Sequence, residues 1–411
     1  MDPRTRIPVV GMVGGGQLAR MTHQAVIALG QSLRVLAVSP DDPAAMVSPD
    51  VVLGAPDDPA ALAKFLDGCD VVTFDHENVP AEPLASLAAA VGETGVPLRP
   101  GPAALVHAQD KLVMRERLSG LGVPCPPFRA VSSAAEVNAF GAEHGWPVVL
   151  KARRGGYDGR GVWLLDDPVH AAPIVAETLA AGTPLLVEQR VVMRRELAAL
   201  VARSPFGQGA SWPVVQSVQE NGICVEVIAP APGLPAARAE AAQRLALRIA
   251  DELDVVGLLA VELFEVAEPG EPDAQGAGVA GGLLVNELAM RPHNSGHWTI
   301  EGSRTSQFEQ HVRAVLDYPL GETTPTAPVT VMANVLGGDP VPEIGLDERL
   351  HHLFARFPDA KAHLYGKGER PGRKIGHVTV LGADLAETRR RASLAAEWMS
   401  RAVWRDGWEV H

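Results

Sequence analysis

The residues with the richest chemistry in this sequence lie in one stretch that follows an apolar run. Residues 285–298 read Val-Asn-Glu-Leu-Ala-Met-Arg-Pro-His-Asn-Ser-Gly-His-Trp. Asn286 and Glu287 offer the hard oxygen ligands that suit Mg²⁺, and Arg291 offers a rigid fork of donors for phosphate or carboxylate. His293 can carry a proton near neutral pH. We interpret the stretch as a functional site at a strand end; a polar surface loop is the alternative.

A second carboxylate can reach this site from a neighbouring strand. Gly257–Val266 and Leu283–Leu288 both have strand patterns, and residues 267–282 between them are rich in Gly, Ala, Glu and Pro. We expect the two strands to be antiparallel neighbours. If Glu262 and Glu287 face each other, two like charges meet and require a cation. The sequence therefore predicts a Mg²⁺ site here, at which Mn²⁺ could substitute.

A lysine at the end of an apolar strand marks a second kind of site. Val148–Lys151 is followed by a loop, Gly155–Gly161, that contains four glycines, and then by another strand. This is not the Walker phosphate loop, because the G-x4-G-K-[ST] spacing is absent. Lys151 could still neutralise a phosphate while backbone N–H groups of the loop cover a nucleotide. A flexible hairpin with a solvated lysine is the alternative. Glu188, at another strand end, could bond adenine or ribose, although an exposed glutamate is the commoner case.

A basic turn near the C-terminus is the third candidate site. Although the chain as a whole is acidic, one stretch of eight residues contains four cationic side chains, Lys367, Arg370, Arg373 and Lys374. The interspersed glycines and a proline indicate a shaped pocket for a phosphate monoester rather than a solvated turn.

The N-terminal elements would position a further edge of polar groups. An apolar run ending at Val13, three glycines, a helix Gln17–Leu29 and a run Leu33–Val38 predict the start of an open parallel αβ sheet. Ligands in such sheets bind beyond the strand ends, which places Gln17 and Glu77 on one rim. Gly14-x-Gly16-x-x-Ala19 also matches the dinucleotide fingerprint. A dinucleotide-binding module or sensor is therefore an alternative. It is weakened because the second strand ends Val38-Ser39-Pro40, with no carboxylate at its tip for a ribose.

The remaining patterns predict helices, a linker and a hairpin. Ala103–Leu121 is predicted as one long helix, with Lys111 and Arg115 on a solvated face. The prolines of 123–127 predict a domain boundary. The other predicted elements are a helix from Ser133 to His144 and one over Ser306–Leu316, both with capping boxes, a helix Ala236–Leu253, a hairpin at Glu220–Gly222, and a helix from about Leu385 to Val403.

Length and composition exclude several classes of protein. A chain of 411 residues needs two or three hydrophobic cores, and 46% apolar with 21% charged residues is globular. A net charge of −13 argues against a nucleic acid or anionic membrane as partner. Cys69, Cys125 and Cys224 are interpreted as small buried hydrophobes of a reduced compartment. No run approaches the ~20 apolar residues that span a bilayer. We expect a soluble, cytoplasmic protein.

Together these motifs resemble the ATP-grasp superfamily, and within it the N5-carboxyaminoimidazole ribonucleotide synthetases. The resemblance runs along nearly the whole chain, and the Arg-Pro-His-Asn-Ser-Gly-His and Tyr-Gly-Lys…Arg-Pro-Gly-Arg-Lys stretches are its most specific parts. It implies a mixed α/β and α+β architecture. An open parallel αβ domain (1–108) would precede an ATP-grasp domain (109–328) with a lid at about 123–190, and a small β-rich module (329–411) would follow.

The resemblance also implies a reaction and roles for individual residues. ATP would phosphorylate bicarbonate to carboxyphosphate, and carboxyphosphate or its carbon dioxide would carboxylate the amine of 5-aminoimidazole ribonucleotide, in a homodimer. Arg291, His293 and Lys367 are implied as catalytic, and Glu262 and Glu287 as metal ligands. Implied ATP contacts are Lys111, Lys151, Gly155, Gly156, Tyr157, Asp158, Gly159, Arg160, Gly161, Glu188, Gln189, Arg190, Val191, Glu196, Asn286 and Glu287. Implied ribonucleotide contacts are Gly16, Gln17, Leu18, Glu77, Asn294, Ser295, Lys367, Arg373 and Lys374.

Two positions depart from the family pattern. Met290 replaces a common proline before the arginine, and Gln219 replaces a common histidine near the nucleotide. A related ligase, such as a formate-using glycinamide ribonucleotide transformylase, is the alternative enzyme.

Overall fold

The computed structural model describes residues 1–408 apart from Pro3, Asn78, Pro80, 157–158 and 270–281. Its N-terminal part is the parallel sheet that the sequence predicts, with strand order β3-β2-β1-β4. Val10, Met12 and Val35 are buried on one face of the sheet, and Val13 and Leu36 are buried on the other, because helices cover both faces. The strands are β1 (Val9–Val13), β2 (Ser32–Ala37), β3 (Asp50–Leu53) and β4 (Val71–Phe74), and the helices are α1 (Gln17–Ala28), α2 (Pro59–Leu66) and α3 (Ala81–Thr94).

The predicted long helix over 103–121 is wrong, because the chain breaks at Asp110. The structure has two helices, α4 (Pro102–Gln109) and α5 (Lys111–Gly120). The Asp110 carboxylate caps α5 by accepting from the backbone N–H groups of Leu112 and Val113 at 3.0 and 3.3 Å. The break turns the second helix, so that Arg115 faces the protein interior instead of solvent.

A small antiparallel sheet with two helices occupies the segment for which a lid is predicted; it is called the lid sheet below. Its strand order is β5-β8-β6-β7. Ser133 caps the first helix as predicted, accepting from the N–H of Glu136, whereas the Glu136 carboxylate reaches back to Ser132 rather than to Ser133. The elements are β5 (Phe128–Val131), α6 (Ala134–His144), β6 (Val148–Ala152), β7 (Val162–Leu165), α7 (Pro168–Ala180) and β8 (Leu185–Gln189).

A large antiparallel sheet forms the centre of the molecule, and the site lies on it. Its order is β14-β13-β9-β11-β12-β15-β17-β16, with β10 paired to β9. Asn221 and Gly222 have φ values of 52° and 77°, as the predicted two-residue hairpin requires. The strands of this sheet that precede the C-terminal module, and the helices between and after them, are β9 (Arg195–Arg203), β10 (Gly209–Ser211), β11 (Val215–Glu220), β12 (Ile223–Ala229), α8 (Ala236–Glu252), β13 (Gly257–Glu265), β14 (Leu283–Ala289), a 3₁₀ turn (Asn294–Gly296), α9 (Thr299–Gly302) and α10 (Gln307–Val315).

The C-terminal module continues this sheet instead of forming one of its own. β15 pairs with β12 from Glu226↔Ala333 to Ala229↔Thr330, so strands on both sides of the proposed boundary at 328/329 share one ladder. A helix that the sequence did not predict, α11, packs beside the predicted C-terminal helix. The elements are β15 (Val329–Leu336), α11 (Leu346–Arg356), β16 (Lys361–Leu364), β17 (Lys374–Gly382) and α12 (Leu385–Arg401).

A buried histidine joins the N-terminal sheet to the central sheet. His311 of α10 accepts from the N–H of Leu258 through Nδ1 at 3.2 Å, and its Nε2 lies 2.8 Å from the hydroxyl of Thr73. Complete burial lowers the pKa of His311 to about 3, so the ring is neutral and Nε2 carries the proton. Cys69, Cys125 and Cys224 are free thiols, and the first and last are buried as predicted. Across the described residues, no helix is both long and apolar enough to span a bilayer.

Candidate functional site

The two predicted metal-ligating carboxylates lie opposite each other on adjacent strands. β13 and β14 are antiparallel, as predicted, and Glu262 pairs in register with Glu287. The register shifts between Glu262 and Leu263, which leaves Asn286 as the extra residue of a β-bulge. A bulge interrupts the alternation of side chains, and here both Asn286 and Glu287 meet lysines of the site.

Two lysines from different elements reach these groups. Lys111, at the first position of α5, lies 3.2 Å from Glu287 Oε1 through Nζ. Lys151, near the end of β6, donates to Asn286 Oδ1 at 3.1 Å and lies 2.8 Å from Glu188 Oε2. Lys151 is buried, which excludes the alternative of a solvated hairpin lysine. Its position brings the lid sheet into contact with the central sheet at the carboxylates.

Glu188 is not an exposed strand-end carboxylate, and Arg115 is not on a solvated face. Both are buried, and Arg115 Nε donates to Glu188 Oε1 at 2.7 Å. Arg115 also donates through Nη1 to the carbonyl of Val285 at 3.1 Å. Burial opposes ionisation of Glu188, but the charges of Lys151 and Arg115 outweigh it and lower its pKa to about 2. Glu188 therefore holds Lys151 in place and ties it to the strand that carries Asn286.

A third glutamate gives this cluster an excess of negative charge. Glu262 lies opposite Ala198 of β9. Glu196 is two residues before Ala198 on the same strand, so it lies on the same face of the sheet as Glu262 and diagonally across from it. Burial, together with the charges of Glu262 and Glu287, raises the pKa of Glu196 to about 7, against a hydrogen bond from Gln219. Burial also opposes ionisation of Glu262, yet the hydrogen bond from His293 and the nearby lysines lower its pKa.

The glycine-rich loop joins β6, which carries Lys151, to β7. The four predicted glycines, Gly155, Gly156, Gly159 and Gly161, all have φ values between 69° and 84°, which other residues adopt only with strain. A Cβ on Gly159 would lie 3.2 Å from Gly222, so the loop touches the β11–β12 hairpin. Arg160 is exposed. Tyr157 and Asp158, predicted to contact ATP, lie outside the described residues.

The segment after β8 contains the other predicted nucleotide contacts. Gln189 ends β8, and its side-chain amide donates to the carbonyl of His144 at 3.1 Å inside the lid. Arg190 and Val191 follow in the connection to β9, where Arg190 is exposed and Val191 is half-buried.

The turn after β14 is held by residues from other parts of the chain. Arg291 forms a two-pronged ion pair with Glu77, in which Nε contacts Oε2 and Nη2 donates to Oε1 at 2.9 Å. Burial opposes ionisation of Glu77, but Arg291 lowers its pKa to about 2. The ring of His293 lies between Ser295 Oγ, 2.9 Å from Nδ1, and Glu262 Oε1, 3.3 Å from Nε2.

The basic turn contacts the helix that follows the three N-terminal glycines. Lys367 Nζ donates to Gln17 Oε1 at 2.5 Å, and Leu18 packs in a buried cluster with Tyr365. Arg373 donates to the carbonyl of Gly368 at 3.1 Å, and Lys374 begins β17.

An asparagine pair joins the turn after β14 to a strand of the C-terminal module. Asn294 exchanges two hydrogen bonds with Asn334 of β15, at 2.9 and 3.0 Å. The turn that contains Arg291 and His293 is thus tied to the C-terminal module.

The N-terminus of α1 is occupied by a protein carboxylate. Asp75 accepts from the N–H groups of Gly16 and Ala19 at 2.6 and 2.8 Å. A Cβ at position 16 would lie 2.2 Å from Asp75 Oδ2, so Gly16 is required for this capping contact. A dinucleotide phosphate would need the same N–H groups. The dinucleotide-binding alternative is therefore wrong.

Comparisons with known proteins agree with this arrangement. Family models match as a ribonucleotide synthetase preATP-grasp domain over 7–109, an ATP-grasp domain over 116–308 and a phosphoribosylaminoimidazole carboxylase C-terminal domain over 330–391. The N5-carboxyaminoimidazole ribonucleotide synthase of Mycobacterium tuberculosis is 61% identical over 98% of this chain and 90% of that protein. The chain belongs to the N5-carboxyaminoimidazole ribonucleotide synthase family. It is an ATP-dependent ligase of the ATP-grasp superfamily.

Solved structures of this synthase family share the fold. The synthetase from Thermus thermophilus is 37% identical, with a TM-score of 0.79 over 97% of this chain and 100% of the other. The synthase from Aspergillus clavatus, in complex with ADP and 5-aminoimidazole ribonucleotide, is 30% identical, with a TM-score of 0.81 over 96% and 98% of the two chains. These relatives favour the carboxylating synthases over the formate-using ligase.

Some residues of the site were not predicted from the sequence. Asp110 also binds Arg153 and Arg154, at 2.9 and 3.0 Å, and so ties α5 to the lid. An aspartate before Lys111 is a standard helix-start signal, which the continuous apolar pattern of 103–121 outweighed. Asp75 follows a strand and carries no local sign that it caps a distant helix.

Proposed function

We propose that this chain uses ATP to convert bicarbonate to carboxyphosphate, and then carboxylates the exocyclic amine of 5-aminoimidazole ribonucleotide to give N5-carboxyaminoimidazole ribonucleotide. The proposal is carried by one observation: Glu262 and Glu287 lie opposite each other, beside Lys111 and Lys151. This set combines oxygen ligands for a divalent cation with ammonium groups for phosphates.

The residues present fit Mg²⁺. Their donors are carboxylate and amide oxygens. The pKa of nearby Glu196 is raised mainly by burial and further by the negative charges of Glu262 and Glu287. When bound, Mg²⁺ would neutralise charge on the β- and γ-phosphates of ATP. We assign Glu262 and Glu287 as its ligands, with Asn286 beside them.

The lysines and the lid would bind and enclose the nucleotide. Lys151 is buried and pre-oriented by Glu188, so it can meet a phosphate without first losing conformational freedom. Carboxyphosphate is labile in water, and closure of the glycine-rich loop at 155–161 would exclude water from it. Residues 188–191 and Glu196 would line the rest of the nucleotide site.

The turn after β14, residues 290–297, would supply the catalytic groups of the second step, and we call it the catalytic turn. Arg291 is oriented by Glu77 and can stabilise the negative charge of carboxyphosphate. The amine attacks the carbonyl carbon of carboxyphosphate, phosphate departs, and the amine loses a proton. We assign His293 as the group that accepts this proton. Lys367, supported by Gln17, would bind the ribonucleotide phosphate with Arg373 and Lys374, while Asn294 and Ser295 shape the turn.

The test is ADP release measured with and without bicarbonate and 5-aminoimidazole ribonucleotide. Lys151→Ala and Glu287→Ala should each lose most turnover, roughly 100-fold or more, while circular dichroism shows that both variants still fold. Lys151→Ala should also lower the melting temperature, because buried Glu188 loses one of its two cations. Turnover at the wild-type rate in both variants would refute the assignment. The homodimer and the cytoplasmic location stay predictions from the sequence.

A further inference from the structure

One fully buried side chain holds the backbone of the catalytic turn at two points. Gln307, the first residue of α10, accepts from the N–H of His293 through Oε1 at 2.8 Å. Its Nε2 donates to the carbonyl of the same residue, also at 2.8 Å. A side-chain amide that satisfies both backbone groups of one residue fixes the position and the orientation of that residue.

The same amide also orients a second histidine of the turn. Nε2 of Gln307 lies 2.9 Å from Nδ1 of His297, which is buried and stacked against Phe308 at 5.7 Å. The backbone N–H of Gln307 donates to Thr299 Oγ1 at 2.8 Å. Gln307 is thus fixed on its own side and joins both ends of the segment 293–297.

At position 296, opposite the Gln307 side chain, the packing has room only for glycine. A Cβ on Gly296 would lie 2.4 Å from Gln307 Oε1 and 2.8 Å from a methyl group of Leu200. The backbone of Gly296 does not have the positive φ that would itself require glycine. Gly296 is therefore needed for the approach of the Gln307 amide, not for the local backbone conformation.

We infer that Gln307 is a positioning residue for the carboxylation step. It acts through His293, whose imidazole it holds between Ser295 and Glu262. This inference rests on the proposed function, in which His293 takes the amine proton. Without the amide, the imidazole would keep its chemistry but lose its position relative to the amine, whereas the lysines that bind ATP belong to other elements.

The chain contains a matched control for this contact. Gln310 lies one turn further along α10, is also fully buried, and holds Gly321 in the same way. Its Oε1 accepts from the N–H of Gly321 at 2.7 Å, and its Nε2 donates to the carbonyl at 2.9 Å. Replacing either glutamine with methionine removes an equivalent pair of hydrogen bonds to one backbone residue at similar side-chain volume, and Gln307→Met also removes the contact with His297.

The experiment compares Gln307→Met, Gln310→Met and Gly296→Ala with wild type. The readouts are melting temperature, KM for ATP, kcat, and the ribonucleotide consumed per ADP released. Gln307→Met should lower kcat for ribonucleotide consumption by roughly 10- to 100-fold at nearly unchanged KM for ATP, since misplacement of a reacting group by about 1 Å has effects of this size. Carboxyphosphate that is not captured hydrolyses, so ribonucleotide consumed per ADP should fall. Gly296→Ala should show the same pattern.

Gln310→Met should lose a similar amount of stability yet keep wild-type kcat and coupling. Equal kcat and coupling in Gln307→Met and Gln310→Met would overturn the inference, because the glutamine would then be only structural. Failure of Gln307→Met to fold leaves Gly296→Ala, measured against Gln310→Met, to decide in the same way. If wild-type ADP release did not depend on bicarbonate and ribonucleotide, the proposed function itself would fail, whatever the variants did.

Discussion

Replacing Glu196 with glutamine should stabilise the ligand-free protein and weaken its response to MgATP. The folded protein raises the pKa of Glu196 from 4.5 to about 7, so folding takes up a proton between these pH values. Below pH 4.5 the carboxyl is protonated in both states and has no effect. Above pH 7 it is ionised in both states and the full destabilisation applies. Glu196→Gln removes this effect without changing the shape of the side chain.

The magnitude follows from the pKa. A rise from 4.5 to about 7 corresponds to about 3 kcal/mol, at about 1.4 kcal/mol for each pKa unit. Glu196 is partly exposed, and screening by water reduces the expected gain to about 1–2 kcal/mol. For a chain of this size that is a rise in Tm of a few degrees at pH 8, roughly 2–4 °C per kcal/mol, and most of it should disappear at pH 5.

The assay is thermal unfolding of wild type and Glu196→Gln at pH 5 and pH 8, with and without MgATP. Glu220→Gln, an exposed glutamate at the end of β11, controls for the change in net charge. Without MgATP at pH 8, we expect Glu196→Gln to have a higher Tm than wild type and Glu220→Gln to have the same Tm as wild type. MgATP should raise the Tm of Glu196→Gln less than that of wild type. Equal melting of all three proteins at pH 8, or a loss of stability in Glu196→Gln at both pH values, would refute the reasoning.

Three further predictions concern the contacts that hold the site. Arg115→Met should lower the free energy of unfolding by about 3 kcal/mol in denaturant titrations, because buried Glu188 loses one of its two cations. Gly16→Ala should cost about 1–3 kcal/mol, since its Cβ would collide with Asp75, and proteolysis should detect loosening of the N-terminal sheet. The depressed pKa of Glu77 contributes stability above pH 4.5 that is lost as pH falls towards 2; Glu77→Gln should flatten this part of the curve of denaturation midpoint against pH.

The sequence predicted the order of elements and the pairing of the two carboxylates because both depend on local patterns. Alternating apolar residues and a loop between two strands were enough to place Glu262 beside Glu287. The bulge at Asn286 could not be predicted, because alternation assigns neighbouring residues to opposite faces and the bulge depends on the partner strand.

The misassigned residues all depend on long-range partners. Arg115 looked solvated because its helix was predicted to continue through Asp110, and its partner Glu188 lies 73 positions further along the chain. Gln307 lies in the first turn of a helix that the sequence predicted, and only the fold places its amide against His293. Such residues carry no local signal, since the side chain that explains them is distant in sequence.

The central claim is that Glu262 and Glu287 together hold one divalent cation on the phosphates of ATP. The most direct test is the dependence of ribonucleotide-dependent ADP release on free Mg²⁺, at saturating ATP, for Glu262→Gln and Glu287→Gln. Glu265→Gln is the control, because Glu265 is on the same strand and pairs with Arg195 and Arg238. We predict that each site variant needs roughly tenfold more Mg²⁺ or loses turnover, while the control keeps the wild-type requirement. Unchanged Mg²⁺ dependence and turnover in both site variants would contradict the account.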